Sequence, residues 1–146
     1  MIGLIQRVRR ASVEVAGEQI AEIDSGILVL VGFRRGDRAE RLDRFVERLL
    51  NYRIFADDQG RMNLSLRQVG GGLLLVPQFT LAADTSAGNR PSFTPAAAPE
   101  EGAALFAELS QKAVQTWPQT ACGCFGADMQ VGLINDGPVT FWLEVD

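Results

Sequence analysis

Histidine is absent from the sequence, and this absence excludes several common kinds of active site. Catalysis by Ser-His-Asp or Cys-His groups, a histidine general base and a histidine-ligated zinc ion are all ruled out. Only two cysteines occur, Cys122 and Cys124, which are too few for a four-thiolate zinc site within one chain. We therefore expect neither a metal ion nor a cofactor. The sparse cysteines, together with an N-terminus that lacks the layout of a signal peptide, predict a cytoplasmic protein.

Long apolar runs and an excess of positive charge are also missing. No segment reaches the roughly 20 consecutive apolar residues that a membrane-spanning helix needs, so we expect no membrane partner. The chain carries 14 Lys and Arg against 18 Asp and Glu, which argues against a protein that coats DNA. All the cations except Lys112 are arginines, the better ligands for phosphate, and most of them lie within residues 1–61. The sequence therefore allows a local anion-binding face but not a global one.

Hydrophobic patterning in the first part of the chain predicts strands. Residues 2–8 have the composition of a strand, and alternating apolar residues on both sides of Ala16-Gly17-Glu18 predict a hairpin. Two continuous apolar runs, residues 27–31 and 73–76, are typical of strands buried on both faces.

Two segments show a helical period instead. Asp37 and Glu40 stand where a capping box would open the first helix, whose apolar face is Leu42, Phe45, Val46, Leu49 and Leu50. The second helix is predicted to begin at Pro99, followed by two acids that suit a helix N-terminus, and to end before Pro118. Its apolar face is predicted to be Leu105, Phe106, Leu109 and Ala113.

The end of the chain predicts a second hairpin. Alternating apolar residues occupy 129–133 and 139–145, and Asn135-Asp136-Gly137-Pro138 between them is a strong turn signal. The whole pattern predicts an α+β fold with a largely antiparallel, barrel-like sheet and two main helices. With 146 residues and 47% hydrophobic composition, residues 1–146 are expected to form a single domain.

The first candidate site is the segment Pro77-Gln78-Phe79-Thr80-Leu81, which follows a predicted buried strand. Pro77 has no backbone N–H to donate to a neighbouring strand, so it marks the end of the predicted strand. Beyond it, the N–H groups of Phe79 and Thr80 could together form an oxyanion hole, but Thr80 has no histidine to activate it as a nucleophile. On spacing alone, the simpler interpretation is a strand that turns, with the Thr80 hydroxyl bound to a local carbonyl.

The second candidate site is Asn135-Asp136-Gly137-Pro138-Val139-Thr140. An ordinary hairpin turn explains it, although a cis Gly-Pro bond would project the carbonyls of Gly137 and Pro138 in an unusual direction. The five arginines between residues 34 and 44 alternate with acids. That pattern usually marks a solvated helix face, with phosphate contact as the less common alternative.

Taken together and in order, the motifs resemble those of the D-aminoacyl-tRNA deacylase family. The similarity runs nearly end to end and is specific because the motifs occur together in a chain of this length. They are Met1-Ile2-Gly3-Leu4-Ile5-Gln6-Arg7-Val8, Ala11-Ser12-Val13, Arg53-Ile54-Phe55, Gly60-Arg61-Met62-Asn63, Pro77-Gln78-Phe79-Thr80-Leu81, Ala83-Asp84-Thr85, Gly88-Asn89-Arg90-Pro91-Ser92-Phe93, Phe125-Gly126-Ala127-Asp128-Met129 and Asn135-Asp136-Gly137-Pro138-Val139-Thr140.

This resemblance implies a homodimer, with sites at the subunit interface, that hydrolyses the ester between a D-amino acid or glycine and the 3′ end of tRNA. It assigns catalysis to Gln78, Phe79 and Thr80, with the terminal adenosine near Phe79. Either the 2′-hydroxyl of that adenosine assists the reaction, or the Thr80 hydroxyl acts as the nucleophile. A Gly-Pro element reaches into the partner's pocket and holds the α-amino group with its carbonyls. The substrate-binding residues implied are Gly137, Pro138, Arg7 (which braces this element), Pro77, Met129, Val139 and Thr140.

Pro77 departs from the family pattern, which usually has serine there. A related group of deacylases carries proline at this position and has altered chiral preference, whereas Phe79 and Arg7 match the D-specific group. Two alternatives to a D-specific deacylase therefore stay open. One is a deacylase for glycine or small L-amino acids mischarged on tRNA, and the other is a non-catalytic dimer that binds RNA ends.

Overall fold

The computed structural model describes residues 1–146, which form a mixed sheet with two main helices packed against it. The elements in chain order are β1 (Ile2–Val15), β2 (Glu18–Ile23), β3 (Gly26–Gly32), α1 (Leu42–Asn51), β4 (Arg53–Ala56), β5 (Met62–Ser65), α2 (Leu66–Val69), β6 (Gly72–Pro77), α3 (Pro99–Thr116), β7 (Thr120–Cys122) and β8 (Met129–Glu144). None of the helices combines the length and the hydrophobicity that a membrane-spanning segment needs.

The main sheet is mixed, which corrects the prediction of a largely antiparallel one. β1 pairs antiparallel with β2, β3 and β8, whereas β3–β6 and β6–β7 are parallel. Parallel neighbours need long crossover connections, and these are supplied by the segments that contain α1 and α3. The sheet curls until β2 approaches β6 and β7, so that it is nearly closed into a barrel as expected. β4 and β5 form a separate hairpin.

Two apolar layers follow from this curvature. One lies between the sheet and the helices, where the predicted apolar face of α1 is fully buried and Phe106, Leu109 and Ala113 of α3 join it. The other fills the inside of the curled sheet, with Val8, Leu28 and Leu74. β3 is buried on both faces, as its continuous apolar run predicts.

The two helices begin differently from each other. α3 begins at Pro99 as predicted, with both acids in its first turn. The capping box predicted for α1 is wrong: a 3₁₀ turn (Ala39–Arg41) precedes α1, and no side chain caps either element. The Asp37 carboxylate instead accepts hydrogen bonds from the backbone nitrogens of Met1 and Arg34, both at 2.7 Å.

β8 is one continuous strand, and the hairpin predicted at residues 135–138 is wrong. It pairs antiparallel with β1 along both of its halves. Between two consecutive pairs of this ladder β1 contains only Arg7, whereas β8 contains residues 136–139. The turn-forming residues therefore bulge out of the ladder opposite Arg7 instead of reversing the chain. The hairpin predicted at Ala16-Gly17 is confirmed, with positive φ at both residues.

Candidate active site

An apolar cavity opens where β3 and β6 end. Its volume is about 460 Å³. Four of the residues proposed from the sequence line it, namely Pro77, Gln78, Phe79 and Met129. The rest of the wall comes from Val31, Phe33, Val76, Ala97, Pro99, Gly102, Phe125, Gly126, Ala127, Asp128 and Val131.

The backbone around Pro77 leaves two adjacent N–H groups without a helical partner. Pro77 is the last residue of β6 and pairs with Val31, and the Gln78 N–H still donates to the Val31 carbonyl at 2.7 Å. A 3₁₀ helix then begins at Phe79 (Phe79–Ala82), whose first internal hydrogen bond runs from the Leu81 nitrogen to the Gln78 carbonyl at 3.3 Å. The N–H groups of Phe79 and Thr80 are therefore the orphan donors of a helix start.

The Thr80 hydroxyl has no base beside it. Its oxygen accepts a hydrogen bond from the Gln78 side-chain amide, and both residues reach solvent. A neutral amide donor cannot remove the hydroxyl proton, so this contact orients Thr80 without activating it as a nucleophile.

The Cys122 thiol, at the end of β7, is not activated as a nucleophile either. Burial raises the pKa of this thiol, so it stays protonated near neutral pH.

The second candidate site is braced mainly by Arg7, whose side chain is partly buried. The Gly137–Pro138 bond is cis, and both residues are exposed on the bulge of β8. Arg7 Nε donates to the Asp136 carbonyl at 3.0 Å, and Arg7 Nη1 donates to the Ile54 carbonyl at 2.7 Å. The guanidinium also pairs with the Asp136 carboxylate at 3.3 Å. Arg7 therefore ties the bulge both to its own strand and to the start of β4.

The residues that follow the bulge return the chain to the sheet. The Val139 side chain is only 3% exposed and belongs to the layer beneath the helices. Thr140 pairs with Gln6 on β1, and its hydroxyl donates to the Gln6 side-chain oxygen. These contacts show how Val139 and Thr140 anchor the bulge, and they place neither residue in the cavity.

Within one chain the two candidate sites are far apart. Met129 lies in the cavity and pairs with Val15 at one end of β1, whereas the bulge lies opposite Arg7. The strand between Arg7 and Val15 spans about 26 Å at about 3.3 Å per residue. The structure thus brings Pro77, Gln78, Phe79 and Met129 together and keeps the Gly-Pro bulge out of their cavity.

Sequence reasoning missed the aromatic walls of the cavity. Phe33 and Phe125 line it, and the Phe93 ring packs on Phe79 with centroids 5.2 Å apart. Phe93 and Phe125 appeared in the sequence only as members of motifs. A usable signal was present, because an aromatic residue inside a loop rich in glycine and proline has no strand or helix to bury it.

Two solved structures share this fold. One, described as c-Myc DNA Unwinding Element Binding Protein, superposes with a TM-score of 0.94 and is 38% identical, covering 100% of this chain and 99% of that one. The other, described as a probable eukaryotic D-amino acid tRNA deacylase, gives a TM-score of 0.87 at 18% identity, covering 99% of this chain and 98% of that one. At that identity the second likeness establishes the fold alone.

Sequence similarity then identifies the family. The D-Tyr-tRNA(Tyr) deacylase family matches residues 4–144, and the chain belongs to it. A protein of Stutzerimonas stutzeri named D-aminoacyl-tRNA deacylase is 61% identical over 144 residues, which are 99% of this chain and 99% of that protein. A protein of the same name from Dichelobacter nodosus is 59% identical over 145 residues, 99% of this chain and 100% of that protein. The resemblance inferred from the motifs is confirmed.

Proposed function

We propose that this chain is a deacylase that hydrolyses the ester between a D-amino acid and the 3′ end of tRNA. Membership of the deacylase family, at about 60% identity to proteins of that name, supports the reaction class. The observation that carries the chemistry is the pair of free N–H groups on Phe79 and Thr80 beside the apolar cavity. The proposal assigns the whole chain to one domain and, because aminoacyl-tRNA is its substrate, to the cytoplasm.

The proposed mechanism depends on positioning rather than on a reactive side chain. An aminoacyl ester is already activated, and two backbone donors aimed at its carbonyl stabilise the negative charge that develops in the transition state. Water attacks the ester carbonyl, and the bond to the 3′-oxygen of the terminal adenosine breaks, which releases the amino acid and a 3′-hydroxyl. The terminal adenosine lies near Phe79, and its 2′-hydroxyl assists the attack. The Gln78 amide and the Thr80 hydroxyl bind each other and hold the segment in place.

The direct test compares the two hands of one substrate. Purified protein is mixed at low concentration with D-tyrosyl-tRNA and with L-tyrosyl-tRNA, and release of tyrosine is followed over many turnovers. We expect multiple turnovers on the D ester and little on the L ester. Equal rates on the two esters would contradict the proposed chiral selectivity. Tight binding without turnover would indicate a protein that binds RNA ends and is not an enzyme.

Pro77 supports a second candidate substrate. The ring removes a backbone N–H and the hydroxyl that the family usually has at this position, and it is buried at the cavity. The change from serine to proline alters the cavity wall, and this favours a deacylase for glycine or a small L-amino acid mischarged on tRNA. Rates on glycyl-tRNA and L-alanyl-tRNA that exceed the rate on D-tyrosyl-tRNA would favour this alternative.

We further propose a homodimer in which each Gly137-Pro138 bulge enters the partner's cavity. Its exposed position, together with the distance of about 26 Å along β1 from its own cavity, supports action in a second copy. The carbonyls of Gly137 and Pro138 would then accept from the substrate's α-amino group, and an L side chain would meet the backbone.

Subunit mixing is expected to test this arrangement. Thr80→Pro removes a proposed oxyanion donor beside the cavity, and Arg7→Ala removes the side chain that braces the bulge. Each variant alone is expected to be nearly inactive. In a mixed dimer one of the two sites combines an intact cavity with an intact bulge, so co-refolded variants should recover about a quarter of wild-type activity. No recovery in a mixture whose mixed dimers are verified by mass would contradict the exchange.

Arg7→Lys is expected to lower the rate on D-tyrosyl-tRNA about tenfold or more. An ammonium cannot reach the Asp136 and Ile54 carbonyls in the two directions that the guanidinium fork supplies, and each charged hydrogen bond contributes about 1.5–3 kcal/mol. Initial rates and thermal unfolding measure the effect. Arg9→Lys is the matched control, because Arg9 touches Asp136 only at 3.9 Å and is mostly exposed. Equal rates for both variants would show that the brace is dispensable.

A further inference from the structure

An exposed aromatic pair stands at the rim of the cavity. Phe79 is 55% exposed and Phe93 is 43% exposed, although their rings pack on each other at a tilt of 58°. The proposed reaction uses Phe79 beside the terminal adenosine and gives no role to Phe93. Two large apolar rings open to solvent beside a binding cavity indicate a surface that contacts a ligand.

The loop that carries Phe93 is fixed rather than loose. Asp84 and Ser92 exchange two backbone hydrogen bonds, at 2.8 and 2.9 Å, which close the loop just before Phe93. The Ala96 nitrogen donates to the Phe93 carbonyl at 3.0 Å immediately after it. Because the backbone is held on both sides, the ring is presented to solvent in a defined place, as a preorganised contact requires.

Two arginines near this pair have no acidic partner. The Arg35 nitrogen donates to the Pro95 carbonyl at 2.9 Å, which fixes Arg35 beside the same loop, and Arg90 lies within it. Both side chains are exposed and neither forms an ion pair, whereas neighbouring Arg34 is bound to Glu144 at 2.9 Å. The Asp84 carboxylate of the loop accepts from the Ser86 nitrogen at 2.9 Å. The segments next to Phe93 therefore carry two exposed arginines whose side chains have no acidic partner.

We propose that Phe93 extends the aromatic surface of Phe79, which lies beside the terminal adenosine, and forms a stacking platform for the unpaired bases that precede this adenosine, with their phosphates on Arg35 and Arg90. Aromatic faces and arginines are the groups that bind single-stranded RNA without reading its sequence. The proposal rests on the proposed function for the identity of the RNA. It places Phe93 in substrate binding and away from the ester, so its loss changes KM and not kcat.

Two substrates separate this role from catalysis. Phe93→Ala is expected to raise the KM for a D-tyrosyl minihelix RNA about tenfold with kcat nearly unchanged, because one stacked base is lost. On D-tyrosyl-adenosine, which has no preceding bases, the same variant should match wild type. Phe93→Tyr should restore the minihelix KM, and Val114→Ala, an exposed apolar residue of α3, is the matched control. A KM that rises equally on both substrates would overturn the platform.

A binding experiment keeps the inference independent of hydrolysis. An uncharged hairpin RNA with a single-stranded 3′ end carries 2-aminopurine just before the terminal adenosine, and stacking on the protein should quench it. Quenching should weaken in Phe93→Ala and persist in Val114→Ala, even if the protein deacylates nothing. Arg35→Gln and Arg90→Gln should each lower the slope of log affinity against log salt by about one, unlike Arg61→Gln on the β4–β5 hairpin. Unchanged quenching with a dimer that dissociates in Phe93→Ala would make Phe93 a subunit contact and overturn the proposal.

Discussion

Replacing Gly26 with alanine is expected to destabilise the protein by about 3 kcal/mol or more, enough to lose soluble protein in a marginally stable chain. A Cβ at this position would lie 1.9 Å from the Gly72 carbonyl oxygen and 2.6 Å from the Gly72 nitrogen. Both are backbone atoms, so no side chain can turn away to relieve the overlap. Gly26 and Gly72 open the parallel β3–β6 ladder, which would have to separate.

Separation of β3 from β6 would also alter the cavity, because the Val31–Pro77 pair at the far end of the same ladder lines that cavity. Gly132→Ala is the matched control: its Cβ would meet only the Ser12 hydroxyl oxygen at 3.4 Å, an ordinary contact on an exposed part of β8. Urea unfolding and the yield of soluble protein measure the difference. If Gly26→Ala and Gly132→Ala unfold at the same urea concentration, the close approach of β3 and β6 does not limit stability.

Local periodicity was sufficient for elements whose burial depends on their own pattern. The apolar spacing of α1 and the continuous run of β3 predicted both elements, because one buried face or two buried faces leave a direct trace in the sequence. Pairing between distant strands leaves no such trace. The parallel ladders of β6 with β3 and β7 therefore could not be predicted, and the sheet was expected to be largely antiparallel.

The same limit explains the error at residues 135–138. Asn-Asp-Gly-Pro has the composition of a turn, but β1 is long enough to pair with chain on both sides of it. Tertiary pairing thus converts a local turn signal into a bulge. Tertiary contacts also explain the error at Asp37. Its carboxylate accepts hydrogen bonds from the backbone nitrogens of Met1 and Arg34, so it does not cap α1.

The candidate site was predictable only where its residues are adjacent in sequence. The unusual exit of β6 at Pro77 pointed to the Phe79 and Thr80 N–H groups, and the structure leaves both without a helical acceptor. Phe33 and Phe125 come from distant segments, so their convergence on the cavity depends on the fold. The resemblance, and not the residue pattern, supplied the roles of Arg7 and Gly137, and the subunit-mixing experiment is what tests them.

Thr80→Pro is expected to lower kcat on D-tyrosyl-tRNA by about 10²–10³, whereas Thr80→Ala should retain most activity. Proline removes the N–H group and the hydroxyl, whereas alanine removes only the hydroxyl, so the difference between the two variants isolates the backbone donor. Thr80 is the second residue of a 3₁₀ helix, where proline is tolerated because the N–H makes no helical bond. Single-turnover rates with saturating enzyme separate this effect from weaker binding.

Leu81 provides the control for proline in the same turn. Its N–H already donates to the Gln78 carbonyl at 3.3 Å, so Leu81→Pro costs one structural hydrogen bond and leaves both proposed oxyanion donors intact. If Leu81→Pro reduces the rate as much as Thr80→Pro, distortion of the turn explains both losses. If Thr80→Ala is as slow as Thr80→Pro, the hydroxyl is the reacting or orienting group, and the backbone N–H group of Thr80 is not what limits the rate. The backbone mechanism requires that only Thr80→Pro be slow, since of the three variants it alone removes one of the two N–H groups proposed to bind the tetrahedral oxygen.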